Sequence, residues 1–265
     1  MITEAMCIVK AFKIDLFTDW LKYHARILNR IHIWDNESYF NLLPIVEEVK
    51  KETGCSIVVD KVSGRPRQYA IYNNYANIHS TADWIMALDD DEYIIMNDNL
   101  KSVEDIVNYY MQKFPGMEML CLKWHHKFPD VFHSERNGAK IIDYCKNENI
   151  TLASLFPCGD KGVKTIVHRS GTIHYEETIE NPNGGHIPKH SKTEFGFLCN
   201  GEQVRQNLIK SELNTITDEV AYIAHYRYTG YSEYITKMRD RQFSISNIVP
   251  LKRKIRFNKI LELLK

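Results

Sequence analysis

The sequence predicts an α/β fold, with a mixed, mostly parallel central sheet and helices on both faces. The first half of the chain alternates short apolar runs with segments whose apolar residues recur every three or four positions. Short apolar runs are typical of buried strands, and the longer spacing is typical of amphipathic helices. Strands that alternate with helices pair in parallel through right-handed crossovers. The loops that follow such strands therefore meet at one edge of the sheet.

The elements of the first half follow from local patterns. Phe17, Trp20 and Leu21 share one face of a helix, and Gly54 is suited to end the next helix. Strands are predicted at 6–12, 30–34, 56–59, 84–88 and 118–124, and helices at 15–28, 41–53, 67–79 and 103–114.

The second half is less regular. Residues 180–202 contain Asn-Pro-Asn-Gly-Gly and Ile-Pro, which predicts a long loop of the kind that forms lids or binding surfaces. Strands are predicted at 163–167, 172–175 and 221–226, and helices at 231–245 and 251–265.

Composition excludes some classes of protein. The 265 residues are 44% hydrophobic, enough for a substantial core, and the formal net charge is zero, so no global field attracts nucleic acid. The sequence shows no apolar run of transmembrane length and no signal-peptide pattern. Its six cysteines are scattered without a C-x-x-C pair, which favours reduced thiols. We therefore expect a cytoplasmic protein that does not bind nucleic acid.

Four consecutive acids, Asp89, Asp90, Asp91 and Glu92, follow the apolar strand at 84–88. Four carboxylates cannot share a dry interior, because repulsion and desolvation would protonate some of them. We expect them where the strand leaves the sheet and meets water, a cation, or both. Mg²⁺ and Mn²⁺ suit such a cluster because they leave positions free for substrate phosphates. The alternative is a solvated acidic turn.

Several segments carry a resemblance to a known family. The segment DWIMALDDDEY at 83–93 is similar to the acidic signature of glycosyltransferase family 92 and related family-2-like enzymes. Further segments resemble family motifs in the same order: DWLKYH at 19–24, IWDNES at 33–38, QYAIYN at 68–73, WHHKF at 124–128, KTIV at 164–167 and HYR at 225–227. Two departures are Pro129 in place of a glycine and Lys10-Ala11-Phe12 in place of an acidic first loop.

The resemblance implies a GT-A fold and transfer of a sugar from a nucleotide donor. It implies one catalytic domain at 1–250, with a nucleotide-binding half at about 1–124 and an acceptor half at 125–250. The expected donor is a UDP-hexose, the expected chemistry is inverting, and the expected acceptor is a glycan or a lipid-linked glycan, as in the synthesis of surface polysaccharides. Two alternatives from other classes are a metal-dependent phosphohydrolase or nucleotidyltransferase, and a non-catalytic nucleotide-sugar-binding protein.

The expected cofactor is Mn²⁺ or Mg²⁺, because a cation that bridges two phosphates stabilises the leaving diphosphate. Asp91 is the expected ligand, and Asp89 shares the cation or holds the ribose, whereas Asp90 alternates to the other side. His225 is a candidate third ligand, with a buried core histidine as the alternative. His186 is the rival ligand, with a surface-loop histidine as the alternative.

Other polar residues are candidates for the donor. Asp35, Asn36 and Ser38 have side chains that bind a base or ribose, but the same types also form a capped turn. Lys164 is a candidate phosphate ligand or a snorkelling lysine, and Trp124 stacks on the sugar or belongs to the core. The resemblance adds Gln68 and Asn73.

Inversion requires a carboxylate that takes the proton of the acceptor hydroxyl. Asp143 matches the position that the resemblance implies, and Asp160, Glu176 and Glu177 are alternatives. The alternative for each is an ordinary surface charge.

The tail at 251–265 is both basic and apolar. Such a segment can lie on an anionic membrane surface and bring the enzyme to a lipid-linked acceptor. The alternative is a C-terminal helix that packs on the domain and exposes its basic face to solvent.

Overall fold

The structure is a computed structural model that describes residues 1–64, 67–130, 136–148, 162–176, 187–205, 220–226 and 229. The chain forms two compact units. The first comprises Met1–Trp124 and Lys161–Ala224, and the second comprises His125–Asp160 and His225–Lys265. The predicted helices at 231–245 and 251–265, and residues 180–186 of the predicted loop at 180–202, lie outside the described residues. The rest of that loop contains two short strands, Lys189–His190 and Phe195–Leu198, so the prediction of one long loop is wrong there.

A central sheet dominates the fold, as the sequence predicts. Its main strands are β1 (Thr3–Val9), β2 (Arg30–Asn36), β3 (Ser56–Val62), β4 (Trp84–Ala87), β6 (Met119–Phe128), β8 (Val163–His168), β11 (Phe195–Leu198) and β12 (Gln203–Arg205). Smaller strands are β5 (Glu92–Met96), β7 (Asn147–Glu148), β9 (Ile173–His174), β10 (Lys189–His190) and β13 (Ala221–His225). β9 and β10 form a separate two-stranded sheet.

The main strands lie in the order β12-β11-β6-β8-β4-β1-β2-β3. β1 pairs in parallel with β2 and β4, β2 pairs in parallel with β3, and β11 pairs in parallel with β6. β8 is antiparallel to both β4 and β6, and β12 is antiparallel to β11. Every strand on this path except β8 and β12 therefore runs in the direction of β1, so the prediction of a mixed, mostly parallel sheet is confirmed.

Five α-helices connect the described strands: α1 (Ile14–His24), α2 (Leu43–Thr53), α3 (Gln68–Asn74), α4 (Val103–Lys113) and α5 (Ile141–Tyr144). α2 ends at Gly54, whose φ of 75° is left-handed, as the sequence predicts. α3 continues as a π-helical turn at Tyr75–His79, so the helix predicted at 67–79 changes its hydrogen-bond pattern midway.

The core covers β1 from both sides. Successive side chains of a strand point to opposite faces, and Ala5, Met6 and Cys7 are all fully buried. The buried Tyr72 and Ala76 of α3 and the π-turn belong to one core cluster with Met6 and Ile85. Burial of consecutive residues is what a parallel strand covered on both faces requires.

Several elements differ from the prediction: β1 covers Thr3–Val9 rather than 6–12, and β6 extends to Phe128 rather than to 124. α1 ends at His24 rather than at residue 28, because the N–H groups of Arg26 and Ile27 donate to carbonyls three residues back, rather than four. β5 was not predicted, since it begins with the charged Glu92 directly after three other acids. In the part of the chain that the structure describes, no helix is both long and apolar enough to span a membrane.

A pair of asparagines docks β9 against the α3 region. The side-chain amide of Asn73 donates to the Tyr175 carbonyl at 2.9 Å, and the Tyr175 N–H donates to Asn73 Oδ1 at 2.6 Å. Four residues later, Asn77 makes the same two bonds with Ile173. One face of the helical segment therefore acts as a hydrogen-bonding partner for this stretch of backbone.

We predict that Asn73→Ala lowers the free energy of unfolding by about 1–3 kcal/mol, because both backbone groups of Tyr175 lose their partner. Urea unfolding measures this loss. Asn74→Ala, an exposed neighbour on the same helix, is the matched control. Equal stability of the two variants would contradict the docking role of Asn73.

Candidate functional site

The strand order reverses at β1. The chain runs from β1 to β2 and β3 on one side and then returns to β4 on the other side of β1. In open α/β sheets, ligands bind in the crevice outside the carboxyl ends of the strands at this kind of switch point. The loop at 88–91 leaves the sheet there, because Leu88 follows β4 and its N–H donates to the Met6 carbonyl of β1. The predicted acids thus follow a strand end at a ligand-binding position.

The four acids divide into two environments. Asp89, Asp90 and Asp91 are partly exposed, whereas Glu92 is 0% exposed. Glu92 is shielded from water, so the prediction that each acid meets water, a cation, or both holds there only through the ammonium of Lys164. The buried carboxylate is tolerated because the ammonium of Lys164 lies 3.1 Å from Glu92 Oε2. Burial raises the pKa of Glu92, an effect that the Lys164 ammonium opposes and that Asp89 and Asp91 reinforce.

Lys164 joins Glu92 to the exposed acids. Its side chain is 4% exposed, and its Nζ also lies 3.3 Å from Asp89 Oδ2. Burial alone would lower the pKa of Lys164, but the carboxylates of Asp89 and Glu92 outweigh it and raise that pKa. Lys164 therefore does not snorkel to solvent, because its ammonium is held between two carboxylates.

Backbone contacts fix the same loop. The Asp89 N–H donates to Glu92 Oε2 at 2.8 Å, and Trp20 of α1 donates its indole N–H to the Glu92 carbonyl at 3.0 Å. The other carboxylate oxygen, Glu92 Oε1, is buried and has no hydrogen-bond partner among the described residues, and the same holds for Tyr175 Oη. Two buried polar atoms thus have unused hydrogen-bonding capacity.

The turn after β2 ties two loops of this edge together. The Ser38 N–H donates to Asp35 Oδ1 at 3.0 Å, and the Ala11 N–H donates to Ser38 Oγ at 2.9 Å. Glu37 between them is left-handed, with φ of 57°. Asp35 and Ser38 therefore form the capped turn that was one of their two interpretations. Asn36 Oδ1 is buried without a partner among the described residues.

A cavity of about 540 Å³ opens beside this turn. That volume is within the range of sites for small ligands. Its lining is polar on one part and apolar on another: Asp35, Glu37, Ser38, Asn41, Lys61 and Ser63, with Phe40, Leu43 and Val62. β2 and β4 both pair with β1 and run parallel to it, so the ends of these two strands lie at the same edge of the sheet, two strand spacings (~10 Å) apart.

Three predicted donor residues have protein partners. Gln68 donates to Tyr72 Oη at 3.4 Å, and Asn73 is held by the backbone of Tyr175. Trp124 is 4% exposed, and the backbone of Gly162 lies so close to its ring that a Cβ at Gly162 would be 2.0 Å from a ring carbon. Lys164 Nζ lies 5.8 Å from the centre of the same ring. Stacking of Trp124 on a sugar stays a prediction.

Most of the other candidates belong to the second unit or lie outside the described residues. Asp143 is exposed on α5, and His225 is 4% exposed and stacks on His126, with ring centres 4.7 Å apart. Both are in the second unit. Glu176 forms an ion pair with Lys189, with 3.2 Å between Glu176 Oε2 and Lys189 Nζ. The remaining candidates, Asp160, Glu177 and His186, lie outside the described residues.

The donor set fits a hard divalent cation that binds together with phosphates. Carboxylate oxygens are the ligands that Mg²⁺ and Mn²⁺ prefer, and one or two of them suffice when a substrate supplies phosphate oxygens. The partly exposed Asp89 and Asp91 provide such oxygens. Among the residues that the structure describes, no three His, Cys, Asp or Glu side chains converge on a common metal position. The protein groups described here thus suit a site that a phosphate ligand completes.

Sequence reasoning missed the pairing of Glu92 with Lys164. A signal was present, because Lys164 interrupts the otherwise apolar or small strand Val163–His168, and Glu92 begins the apolar run of β5. A lysine in one buried strand and an acid in another together indicate an ion pair, since neither charge is stable alone in the interior.

No family model matches the sequence, and neither does any curated protein. Solved structures resemble the fold at low identity. S. aureus TarS 1–349 in complex with UDP-GlcNAc is 12% identical, with a TM-score of 0.43, and the match covers 94% of this chain and 68% of that chain. The corresponding TarS complex with UDP is 13% identical, with a TM-score of 0.34, and the match covers 51% of this chain and 40% of that chain.

A third structure is glucosyl-3-phosphoglycerate synthase from Mycobacterium tuberculosis in complex with Mn²⁺, UDP and glucosyl-3-phosphoglycerate. It is 11% identical, with a TM-score of 0.30, and the match covers 63% of this chain and 57% of that chain. In this match and in that to the TarS complex with UDP, the chain spans less than two thirds of the other protein. Likeness at this level carries no argument about function, so the function is argued from the site.

Proposed function

We propose that the chain is a glycosyltransferase of the GT-A type that transfers a sugar from a nucleotide-sugar donor to an acceptor. One observation carries the proposal. The acidic loop 88–91 leaves the sheet at the switch point beside β1, where Lys164 and Glu92 hold it from below. A polar cavity lies at the same edge, two strands away. Acids beside a cavity suit a ligand that has both a base and a charged diphosphate.

Different residues of this edge bind different parts of the donor. Asp35, Asn36 and Ser38 border or adjoin the cavity and bind the base or ribose, and Asn36 Oδ1 has a free lone pair for it. Asp89 and Asp91 face the diphosphate and hold its Mn²⁺ or Mg²⁺, and Asp90 contributes to donor binding. The bound cation supplies a Lewis acid for the charge that develops on the leaving diphosphate. Lys164 adds a positive charge below the same loop.

The finer assignments of the proposal follow the family resemblance. The donor is a UDP-hexose, Gln68, Asn73 and Trp124 contribute to its binding, and transfer inverts the anomeric centre. Asp143 accepts the proton of the acceptor hydroxyl, with Asp160, Glu176 or Glu177 as alternatives, and His225 or His186 completes the metal site. The acceptor is a glycan or lipid-linked glycan, reached in the cytoplasm through contact of the basic tail at 251–265 with the membrane surface.

A thermal-shift screen of nucleotide sugars, each with and without Mn²⁺, tests the proposal. A ligand that binds only the folded state raises the melting temperature. We expect one nucleotide sugar to stabilise the protein, more strongly with Mn²⁺ than without. Free sugars and nucleosides without phosphate are the matched controls. No shift with any nucleotide sugar, in the presence of Mn²⁺, would contradict the proposal.

Analysis of products separates the remaining classes of enzyme. A glycosyltransferase releases a nucleoside diphosphate and forms a glycoside, and it does so faster when an acceptor is present. A nucleotidyltransferase instead consumes pyrophosphate and forms a nucleoside triphosphate and a sugar phosphate. A binding protein shows the thermal shift without turnover.

A further inference from the structure

On the basis of the proposed function, we infer that Lys164 makes the binding of the divalent cation depend on the diphosphate. In the protein alone, the lysine ammonium occupies the carboxylate that the cation needs. When a diphosphate is present, its negative charge offsets the repulsion between the ammonium and the cation, and the cation gains phosphate ligands. Lys164 thereby couples two binding events at one site.

The position of the ammonium is the first observation behind this inference. Lys164 Nζ lies 3.3 Å from Asp89 Oδ2 and 3.1 Å from Glu92 Oε2. Its side chain is 4% exposed, whereas that of Asp89 is 41% exposed. The lysine therefore contacts the acidic loop from the protein interior, and Asp89 stands between it and solvent.

This position opposes a cation that binds alone. A dication that binds Asp89 lies within a few ångströms of the ammonium, and like charges at that range in a partly buried site lower affinity by about tenfold or more. The ammonium also neutralises part of the negative charge of Asp89, which weakens the attraction of that carboxylate for a cation. A diphosphate adds negative charge to the site and thereby offsets both effects.

The second observation is the small number of protein ligands. Among the described residues, no group of three His, Cys, Asp or Glu side chains can hold a metal ion. Mg²⁺ and Mn²⁺ prefer six oxygens and retain water where the protein supplies few. Phosphate oxygens would therefore complete the coordination shell, and the cation and diphosphate should each raise the affinity of the other by the same factor.

The contacts of Glu92 allow two roles of Lys164 to be distinguished: neutralising Glu92, and competing with the cation at Asp89. Glu92 is fully buried and accepts the Asp89 N–H as well as the Lys164 ammonium. If Lys164 served only to neutralise Glu92, replacing both by neutral residues would remove the pair without effect on cation binding. If the ammonium competes with the cation at Asp89, the same replacement frees Asp89.

The experiment measures Mn²⁺ binding by the electron paramagnetic resonance signal of free Mn²⁺, without any measurement of turnover. Wild-type protein is titrated with Mn²⁺ alone, with Mn²⁺ and UDP, and with Mn²⁺ and inorganic pyrophosphate. We expect UDP and pyrophosphate each to tighten Mn²⁺ binding by about tenfold or more, after correction for the binding of Mn²⁺ by each compound in solution. Equal Mn²⁺ affinity with and without both compounds overturns the inference without the use of any variant.

The deciding variant is the double substitution Lys164→Met with Glu92→Gln, which leaves no unpaired buried charge. Glutamine keeps an oxygen that accepts the Asp89 N–H. We expect the double variant to bind Mn²⁺ alone about tenfold more tightly than wild type, and the gain from UDP to shrink by the same factor. Glu92→Gln alone is the matched control, because it keeps the ammonium at Asp89 and should keep the dependence on UDP.

Three results are distinguishable. A folded double variant with wild-type Mn²⁺ affinity and an undiminished gain from UDP limits Lys164 to a structural role, and the proposed function stands. Wild-type protein that binds neither UDP nor pyrophosphate in the presence of Mn²⁺ overturns the proposed function together with the inference. If circular dichroism shows the double variant to be unfolded, the double variant Lys164→Gln with Glu92→Gln, whose two amides can hydrogen-bond to each other, is titrated instead, with the same expected and contrary outcomes.

Discussion

Replacing Asp91 by asparagine is expected to reduce sugar transfer by about a hundredfold or more, equivalent to about 3 kcal/mol of transition-state stabilisation. Asp91 lies in the partly exposed section of the loop that follows β4, where the proposed function requires a carboxylate for the cation and the diphosphate. Asparagine keeps the size of the side chain and removes its charge. Steady-state kinetics with saturating Mn²⁺ measure the loss, and EDTA should abolish transfer by the wild-type protein until Mn²⁺ is restored.

Asp98→Asn is the matched control, because Asp98 is an exposed acid beyond the end of β5. It should transfer sugar at the wild-type rate. A near-normal rate for Asp91→Asn would move the metal site to other residues, and full activity in excess EDTA would remove the metal from the mechanism.

His24 is expected to make the protein sensitive to mild acid. It is fully buried in α1, and burial lowers its pKa to about 3, although the hydrogen bond to the Trp20 carbonyl opposes the shift. The unfolded chain binds this proton from about pH 6.5 downward, so between pH 6.5 and 3 the unfolded state holds more protons and stability falls as the pH drops. Between pH 7 and pH 5 this one group should cost about 2 kcal/mol of unfolding free energy.

Urea unfolding at pH 5, 6 and 7 measures the effect, with His24→Gln as the variant that does not titrate. Glutamine can donate to the Trp20 carbonyl, which accepts from His24 Nδ1 at 2.9 Å in the neutral tautomer that donates there. The variant should lose less stability than wild type between pH 7 and 5, whatever its stability at pH 7. His79→Gln, at an exposed position, should behave as wild type. Equal losses in wild type and His24→Gln would mean that His24 is charged in the folded protein.

Local patterns predicted the framework of the fold. Phe17, Trp20 and Leu21 share the buried face of α1, and Gly54 ends α2, because amphipathic spacing and a left-handed cap depend on a few neighbouring residues. The acidic loop was predicted at the correct strand end for the same reason. The sequence could not distinguish the two interpretations of the turn at 35–38, since the same side chains that bind a ligand also cap a turn.

Contacts between residues far apart in the sequence could not be predicted from local patterns. Lys164 and Glu92 are 72 residues apart, and only the antiparallel placement of β8 beside β4 brings them together. Asn73 lies at a position where the resemblance implies donor binding, but its amide is held by Tyr175, on a segment 102 residues away. Each of these contacts depends on strand order, which the alternation of strands and helices did not determine for the second half of the chain.

The order of the strands also determines when each strand can pair during synthesis on the ribosome. β4 obtains its second neighbour only when β8 has emerged, and the paired residues Ile85 and Val167 are separated by 82 positions. At about 5–20 residues per second, the edge of β4 stays uncovered for roughly 4–16 s in every nascent chain. During that interval its apolar residues and unpaired backbone groups are open to other chains. The yield of folded protein should therefore rise when nascent chains are fewer or chaperones more abundant, without any change in the stability of the finished molecule.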